Sequence, residues 1–317
     1  MNLNKARVTI LVPVFNAENS ISVGMKSILE MARENDEILV IDDGSSDGSL
    51  LELQKFSRED DRINLISRKH QGLVDVLNFG VSESSNELVA RADIDDSYHP
   101  ERLNYQVATI SESPDISAVF SDYEVTNING DGLGIIPSAV TENLTKLSLI
   151  NHQRTAHPSV LFRKGAVTAA GSYIPSDFPA EDFALWIRLS KISKLRSVPK
   201  VLLRYTLNPT GISLMRAEEM KNRTSILQAE LGKSLDLEMY HNKLLQDLAE
   251  LNTTTLPAER KLLSVRDFVT LQKYKGFSLS EIVREVSRFR GELEMIPSLI
   301  GMIRLESQRR KRGHQRN

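Results

Sequence analysis

Short apolar stretches alternate with amphipathic helical segments in the first part of the chain, and this alternation limits the fold more than any other feature. The run Val8–Val14 (VTILVPV) is apolar and β-branched, as buried strands are. The segments between such runs carry their apolar residues on one helical face. Five strands are predicted, at Val8–Val14, Glu37–Ile41, Ile63–Ile66, Leu88–Ala92 and Ala118–Tyr123. Strands and helices alternating at this spacing predict an α/β fold with a mostly parallel, doubly wound sheet flanked by helices.

Acidic loops directly follow two of the predicted strands. Asp42-Asp43 comes after the second strand, and Asp93, Asp95 and Asp96 come after the fourth. Ligands of such sheets bind outside the carboxyl ends of the strands, so we expect both loops on one edge. An Asp-x-Asp there suits a hard divalent cation, Mg²⁺ or Mn²⁺. The same short motif is also typical of an acidic turn that caps a following helix.

The composition excludes several classes of protein. The 317 residues include no cysteine, so disulfides and thiolate metal sites are excluded. No apolar run approaches the roughly 20 residues that span a bilayer, and the start of the chain lacks a signal-peptide pattern. A net charge of −2 argues against general nucleic-acid binding. We therefore expect a cytoplasmic protein.

The pattern changes beyond Arg216, where strand signals nearly disappear. We predict a domain over residues 1–215 and a helical C-terminal region over 216–317, with helices at 216–231, 235–251, 257–275 and 279–290. Residues 301–317 carry six basic side chains and one acidic one, directly after an apolar stretch. This tail suits peripheral contact with the anionic inner face of a membrane. A solvated basic terminus is the alternative.

Seven motifs follow one another in a specific order along the chain. They are VTILVPVFNAENSI, EILVIDDGSSDGS, QGLVDVLNFG, ARADIDDSYHPERLNYQ, HPSVLFRK, AEDFALWIRLS and VLLRY. In this order they resemble the family 2 glycosyltransferases, which have the GT-A fold. The resemblance covers about residues 7–213.

The resemblance implies a nucleotide-sugar site. Asp42 and Asp43 match the family's DDGS motif, in which the first aspartate shapes the ribose pocket and the second accepts a hydrogen bond from the base. A turn with Gly44 at a positive φ is the structural alternative. The residues that begin the nucleotide pocket in the family correspond to Pro13, Phe15 and Asn16.

The resemblance also implies a metal site. Asp93 and Asp95 would be the family's DxD pair, with Asp93 facing both the metal (Mn²⁺ or Mg²⁺) and the diphosphate. Ile94 stands where the family commonly has a small residue. Arg91, just before the pair, would meet a phosphate or form a surface salt bridge.

The catalytic pair that the resemblance implies is Glu181-Asp182. Asp182 would be the general base that deprotonates the acceptor hydroxyl, and Glu181 would help to bind the acceptor. Simple stabilisation of the first helical turn by two anions is the alternative. His157 matches a segment that lines the acceptor side, although a lone histidine is more often structural.

The chain departs from the family at its last motif. Family members often read Tyr-Arg-x-His where this chain has Tyr205–Asn208, so a phosphate-facing arginine and a histidine are absent. Arg204 is the candidate substitute for the arginine.

Taken together, these residues predict an inverting glycosyltransferase. It would move a sugar from a nucleoside-diphosphate donor, UDP-linked by preference, to a saccharide or lipid-linked acceptor in surface polysaccharide or glycolipid synthesis. Two alternatives are a metal-dependent nucleotidyltransferase and a nucleotide-sugar-binding protein without catalysis.

Overall fold

The computed structural model of this chain describes residues 6–138, 149 and 155–234. Within that part of the chain, no helix is both long enough and apolar enough to cross a bilayer. Three of the predicted helices (235–251, 257–275 and 279–290) and the basic tail lie outside the described residues.

Nine strands form a single sheet within the described residues. The strands are β1 (Val8–Val14), β2 (Glu37–Asp42), β3 (Ile63–Ser67), β4 (Leu88–Arg91), β5 (Ser97–Tyr98), β6 (Ile116–Thr126), β7 (Gly132–Ile136), β8 (Leu161–Arg163) and β9 (Lys194–Thr206). Their order across the sheet is β3-β2-β1-β4-β8-β6-β9-β5, with β7 paired to β6.

Most strands of this sheet run in the same direction. Strands β3, β2, β1 and β4 pair in parallel, and β6 pairs in parallel with β9. Strand β8 lies antiparallel between β4 and β6, which returns β6 to the direction of β4. Strands β5 and β7 are antiparallel additions to β9 and β6. The predicted α/β class is therefore confirmed, and each of the five predicted strands is present.

Helices cover the sheet, and their apolar faces form the core. On α1, the buried side chains Ile21, Met25 and Ile28 recur at helical spacing. The helices are α1 (Glu18–Met31), α2 (Ser49–Glu59), α3 (Leu73–Glu83), α4 (Arg102–Ile110), α5 (Lys164–Ala169), α6 (Glu181–Ile192), α7 (Ile212–Met215) and α8 (Ala217–Ser234).

Helix α6 is fixed in the core by its tryptophan. The Trp186 ring is fully buried and meets Phe120 of β6 edge to face, with 5.2 Å between the ring centres. This contact fixes the position of the first turn of α6 relative to the sheet.

A buried aspartate ties α8 to the same region. Asp177 accepts hydrogen bonds from Arg188 of α6 at 2.8 Å and from Arg223 of α8 at 2.5 Å. Helix α8 occupies the first of the predicted C-terminal helical segments. The domain boundary near residue 215 stays a prediction.

Candidate functional site

A cleft of about 1610 Å³ opens beside the carboxyl ends of β1 and β4. The predicted site residues that line it are Pro13, Phe15, Asn16, Asp43, Arg91, Asp93, Asp95, Glu181 and Asp182. Residues from distant parts of the sequence thus meet at one edge of the sheet. Asp42 is not among the lining residues.

The two aspartates of the DDGS motif have different environments. Asp42 is buried, and its carboxylate accepts hydrogen bonds from the Ser67 hydroxyl at 2.9 Å and from the backbone N–H of Ser45 at 3.3 Å. These contacts fix the loop after β2 from inside the protein. Asp42 therefore stabilises the loop after β2, whereas the side chain of Asp43 lines the cleft.

The Asp43 carboxylate is held by the loop that precedes α3. Its Oδ1 accepts the N–H of Gln71 at 2.9 Å, and its Oδ2 accepts the N–H of Gly72 at 2.8 Å. Nδ1 of His70 lies 2.8 Å from the same Oδ2. Gly44 has a φ of 72°, as the turn alternative predicted, and a Cβ there would lie 2.7 Å from the His70 backbone nitrogen. The turn therefore brings the loops after β2 and β3 together, and it is compatible with a binding role for Asp43.

Phe15 and His70 form a stacked pair at the same end of the cleft. Their ring centres lie 4.2 Å apart with 23° between the planes, and both side chains are about half exposed. Asn16 supports this arrangement by accepting the backbone N–H of Ser46 at 2.8 Å. The sequence analysis missed His70. Its position, three residues after the carboxyl end of β3, is the signal that would have found it.

Three carboxylates lie together after β4. Asp93, Asp95 and Asp96 each place an oxygen within 4.8 Å of the others. Asp96 is buried, and its Oδ1 accepts the backbone N–H of Thr206 at 2.8 Å. Burial and the charge of Asp93 raise the pKa of both Asp95 and Asp96. The sequence predicted the first two members of this cluster as metal ligands and left out the third.

The chemistry of this cluster fits a hard divalent cation. All of its donors are carboxylate oxygens, which Mg²⁺ and Mn²⁺ prefer. Oδ2 of Asp96 is buried and has no hydrogen-bond partner. Adjacent carboxylates that repel one another are stabilised when a cation joins them. We therefore take Asp93 and Asp95, with Asp96 behind them, as a candidate metal site.

Arg91 pairs with Asp93 through Nη1 and Oδ2, and only 4% of the arginine side chain is exposed. The salt bridge considered for Arg91 is therefore present, but the guanidinium lies inside the protein and not at its surface. Burial disfavours the charge, but the charge and hydrogen bond of Asp93 outweigh it and raise the pKa of Arg91 above its ordinary value.

Glu181 and Asp182 occupy the first turn of α6, on the wall of the cleft. Burial raises the pKa of Glu181 to about 7 and that of Asp182 to about 6. The positive end of a helix favours anions, yet burial dominates here. Oδ1 of Asp182 accepts the N–H of Phe183 at 2.6 Å, whereas the buried Oε2 of Glu181 has no hydrogen-bond partner.

His157 lines the cleft but is also part of the packing. Its Nε2 lies 2.9 Å from the Tyr173 hydroxyl, and its ring meets Trp186 edge to face. Burial and the charge of Arg91 hold the pKa of His157 well below its ordinary value. His157 is therefore neutral near pH 7 and orients Tyr173.

The end of β9 contacts the carboxylates without the family's arginine and histidine. The side-chain amide of Asn208 donates to Oδ2 of Asp95 at 3.2 Å. Arg204 also lines the cleft, but its guanidinium is already bound to Glu124 at 2.9 Å and to the carbonyl of Gly130 at 2.9 Å. Asn208, which stands at the histidine position, thus contacts the cluster through its side chain, and Thr206 contacts it through its backbone N–H.

Comparison with protein families gives a match to the family described as "Glycosyl transferase family 2" over residues 9–167. An uncharacterized glycosyltransferase of Haemophilus influenzae is 27% identical over 320 residues, covering 93% of this chain and 97% of that protein. Escherichia coli WfgD, a UDP-Glc:α-D-GlcNAc-diphosphoundecaprenol β-1,3-glucosyltransferase, is 27% identical over 227 residues, covering 69% of this chain and 85% of WfgD.

Solved structures of glycosyltransferases share the fold. Residues 1–349 of S. aureus TarS align with a TM-score of 0.58 at 17% identity, covering 91% of this chain and 93% of that one. The same TarS segment has been solved with UDP-GlcNAc. The Pyrobaculum calidifontis mannosyltransferase PcManGT, solved with GDP-Man and Mn²⁺, aligns with a TM-score of 0.53 at 17% identity, covering 85% and 82% of the two chains. These likenesses identify the fold as GT-A.

Proposed function

The chain belongs to glycosyltransferase family 2 and is a glycosyltransferase, and we propose that it transfers a sugar from a nucleoside-diphosphate donor to a hydroxyl group with inversion at the anomeric carbon. One observation carries this proposal. The carboxylates of Asp43, of the cluster after β4 and of the first turn of α6 all line one cleft. The proposed transfer needs three carboxylate groups in one cleft, one for the nucleotide, one for the diphosphate and one for the acceptor hydroxyl.

We place the nucleotide at the Phe15–His70 end of the cleft. The two stacked rings offer an aromatic edge for a flat base, and Asp43 offers acceptor atoms beside them. Oδ1 of Asp43 accepts one backbone N–H and keeps further acceptor capacity. A carboxylate suits the N–H of uracil, and the names of WfgD and the TarS complex specify UDP-linked sugars. UDP is therefore the proposed nucleotide.

Asp93 and Asp95 would hold Mn²⁺ or Mg²⁺, with Asp96 supporting them from the buried side. When bound, such a cation neutralises charge on a departing diphosphate. Asn208 and Thr206 keep Asp95 and Asp96 in place through their hydrogen bonds. Their role is to hold the carboxylates in position before the donor arrives.

Asp182 is the proposed general base. It would take the proton of the acceptor hydroxyl as the acceptor oxygen bonds to the anomeric carbon and the bond from that carbon to the nucleoside diphosphate breaks. A pKa of about 6 leaves Asp182 mostly ionised near pH 7 while keeping it basic enough for this step. Glu181, which lines the cleft beside Asp182, would help to bind the acceptor.

The proposed acceptor is a saccharide on a lipid carrier, in surface polysaccharide or glycolipid synthesis. Support comes from WfgD, whose printed acceptor is diphosphoundecaprenol-linked. The basic tail and the apolar residues before it suit attachment at the inner face of the cell membrane.

Hydrolysis of candidate donors without acceptor tests this function. The full chain is incubated with a panel of UDP-, GDP- and dTDP-sugars in Mn²⁺ or in EDTA, and release of the nucleoside diphosphate is measured. We expect Mn²⁺-dependent release from one or a few UDP-sugars, and release slower by roughly 10²–10⁴ from the Asp182→Asn variant. Release of pyrophosphate from a nucleoside triphosphate would indicate a nucleotidyltransferase instead. Donor binding without turnover, even when lipid-linked saccharides are added, would indicate a binding protein.

A further inference from the structure

A buried positive charge accompanies the carboxylates after β4. We propose that Arg91 is the internal counter-ion of this cluster, which fixes Asp93 before a divalent cation arrives and opposes the binding of that cation, instead of contacting the donor phosphates. This inference rests on the proposed metal site.

The backbone of Arg91 is fixed on both sides. Its N–H donates to the carbonyl of Val160 at 3.1 Å, and its own carbonyl accepts Nη2 of Arg102 at 3.1 Å. Arg102 is fully buried and also donates to the carbonyl of Val160 at 3.0 Å. The end of β4 therefore cannot shift readily, and the Arg91 side chain starts from a fixed point.

The guanidinium of Arg91 pairs with the carboxylate of Asp93 through Nη1 and Oδ2. Its side chain is 4% exposed, against 27% for Asp93, so the carboxylate is the partner that faces the cleft. Nη1 and Nε of Arg91 are both buried, and a phosphate would have to displace Asp93 to reach Nη1. This geometry suits a residue that acts through Asp93.

The charges of the cluster explain why a counter-ion is needed. Three carboxylates lie within 4.8 Å of one another, and the charge of Arg91 lowers the pKa of both Asp95 and Asp96. A divalent cation held by Asp93 and Asp95 would supply the same compensation, and its charge would lie close to that of Arg91. Like charges close together in a poorly solvated site repel, so Arg91 should lower the affinity for the cation.

Neutral substitutions of Arg91 separate the two roles. Arg91→Met keeps much of the volume and removes the charge, Arg91→Gln is a second neutral variant, and Arg91→Lys keeps a charge. Binding of Mn²⁺ to the full chain is measured by titration calorimetry, with and without UDP, and the melting temperature is measured in EDTA and in Mn²⁺. UDP binding is measured separately in EDTA.

We expect Arg91→Met and Arg91→Gln to bind Mn²⁺ roughly tenfold more tightly than the unmodified chain, the effect of one nearby charge. In EDTA, both variants should melt at a lower temperature than the unmodified chain. Mn²⁺ should raise their melting temperatures by more than it raises that of the unmodified chain. Arg91→Lys should bind Mn²⁺ within about twofold of the unmodified chain, because it keeps the charge.

Arg163→Met is the matched control for loss of a partly buried arginine. Arg163 donates to the carbonyls of Ile116 and Ile110 and does not line the cleft. Its substitution should lower the melting temperature equally in EDTA and in Mn²⁺.

Unchanged or weaker Mn²⁺ binding in both neutral variants would overturn the proposal, and weaker UDP binding in EDTA would assign Arg91 to the phosphates instead. If the unmodified chain bound no Mn²⁺ with or without UDP, the metal site of the proposed function would fail as well. The unmodified chain thus reports on the proposed function, and the variants report on Arg91.

Discussion

Asn208, two residues after β9, donates a hydrogen bond to Oδ2 of Asp95 in the loop after β4, across 113 positions of the sequence. The next contact along, from the N–H of Thr206 to Asp96, lies at 2.8 Å. The last strand of the sheet therefore orients two of the three clustered carboxylates. A substitution at Asn208 should alter the metal site without touching a proposed ligand.

The first prediction concerns Asn208→Ala. The hydrogen bond from Asn208 lowers the pKa of Asp95, so its loss should leave that carboxylate less ionised and less fixed. We expect the apparent affinity for Mn²⁺ in the presence of UDP to fall by roughly 2- to 10-fold, the net worth of one typical hydrogen bond. Titration calorimetry at pH 7 measures this change.

Asn104→Ala is the matched control for Asn208→Ala. Asn104 is an exposed residue of α4, and its side chain donates a hydrogen bond to the carboxylate of Glu101 at 2.8 Å. Its substitution should leave Mn²⁺ affinity as it was. If Asn208→Ala behaved like this control, the contact with Asp95 would have no part in metal binding.

The second prediction concerns the metal ligands themselves. Donor hydrolysis should stop in EDTA and return with Mn²⁺ or Mg²⁺. Asp95→Asn keeps the shape of the side chain and removes a charge, so UDP should bind far more weakly to this variant in Mn²⁺, with little change in EDTA. Asp61→Asn, at an exposed position, is the control. Full activity in chelator would show that the carboxylates serve another purpose.

The third prediction separates Asp42 from Asp43. Asp42→Ala removes the acceptor of the Ser67 and Ser45 hydrogen bonds inside the protein, so it should lower the free energy of unfolding by about 1–3 kcal/mol. Asp43→Ala should mainly weaken UDP binding, because this carboxylate faces the cleft. Thermal melting and titration calorimetry on both variants measure the two effects. Equal loss of UDP affinity in both folded variants would contradict this division.

The sequence was sufficient to predict the strands and the edge of the sheet at which they end. The five predicted strands and the cleft position of Asp43 and Asp93 follow from apolar periodicity and from the rule for parallel sheets, whereas Asp182 was predicted from the family resemblance. Both features depend on local patterns, so they are visible without knowledge of tertiary contacts.

Other features of the site depend on contacts that no local pattern specifies. The sequence left Arg91 either at a phosphate or in a surface salt bridge, whereas the fold buries its side chain beside Asp93. In the sequence, Asn208 indicated only that the family's histidine is absent. The fold places its side chain beside Asp95. His70 had no apparent partner until β2 and β3 paired and brought it to Asp43.

The fourth prediction concerns the basic tail, which lies outside the described residues. The full chain should co-sediment with vesicles that contain anionic lipid, at about 1 kcal/mol of attraction per basic group near the surface. Binding should fall as salt rises and disappear in a truncated chain that ends at Leu293. Vesicles of neutral lipid are the control. Equal sedimentation of both chains, or of neither, would leave the tail as a solvated terminus.

The fifth prediction concerns Asp182. Asp182→Asn should keep UDP affinity close to that of the unmodified chain and reduce turnover by roughly 10²–10⁴, the usual contribution of a general base. Glu181→Gln should raise the KM for the acceptor more than it lowers kcat, since Glu181 binds rather than deprotonates. Turnover of Asp182→Asn at the unmodified rate would refute the assignment.

The raised pKa of Asp182 also has a consequence for stability. Burial raises it to about 6, opposed by the Phe183 N–H and by the charge of Arg91, while Asp93 adds to the rise. Between the ordinary value near 3.8 and about 6 the folded chain binds more protons than the unfolded chain, so stability falls as pH rises through this window. Asp182→Asn removes that cost, so in EDTA its melting temperature should exceed that of the unmodified chain by a few degrees at pH 8, with a smaller gain at pH 5. Asp61→Asn, at an exposed position, is the control. A gain that was equal at both pH values would mean that Asp182 is not a buried, ionised carboxylate near neutral pH, and would remove the electrostatic basis for its role as the base.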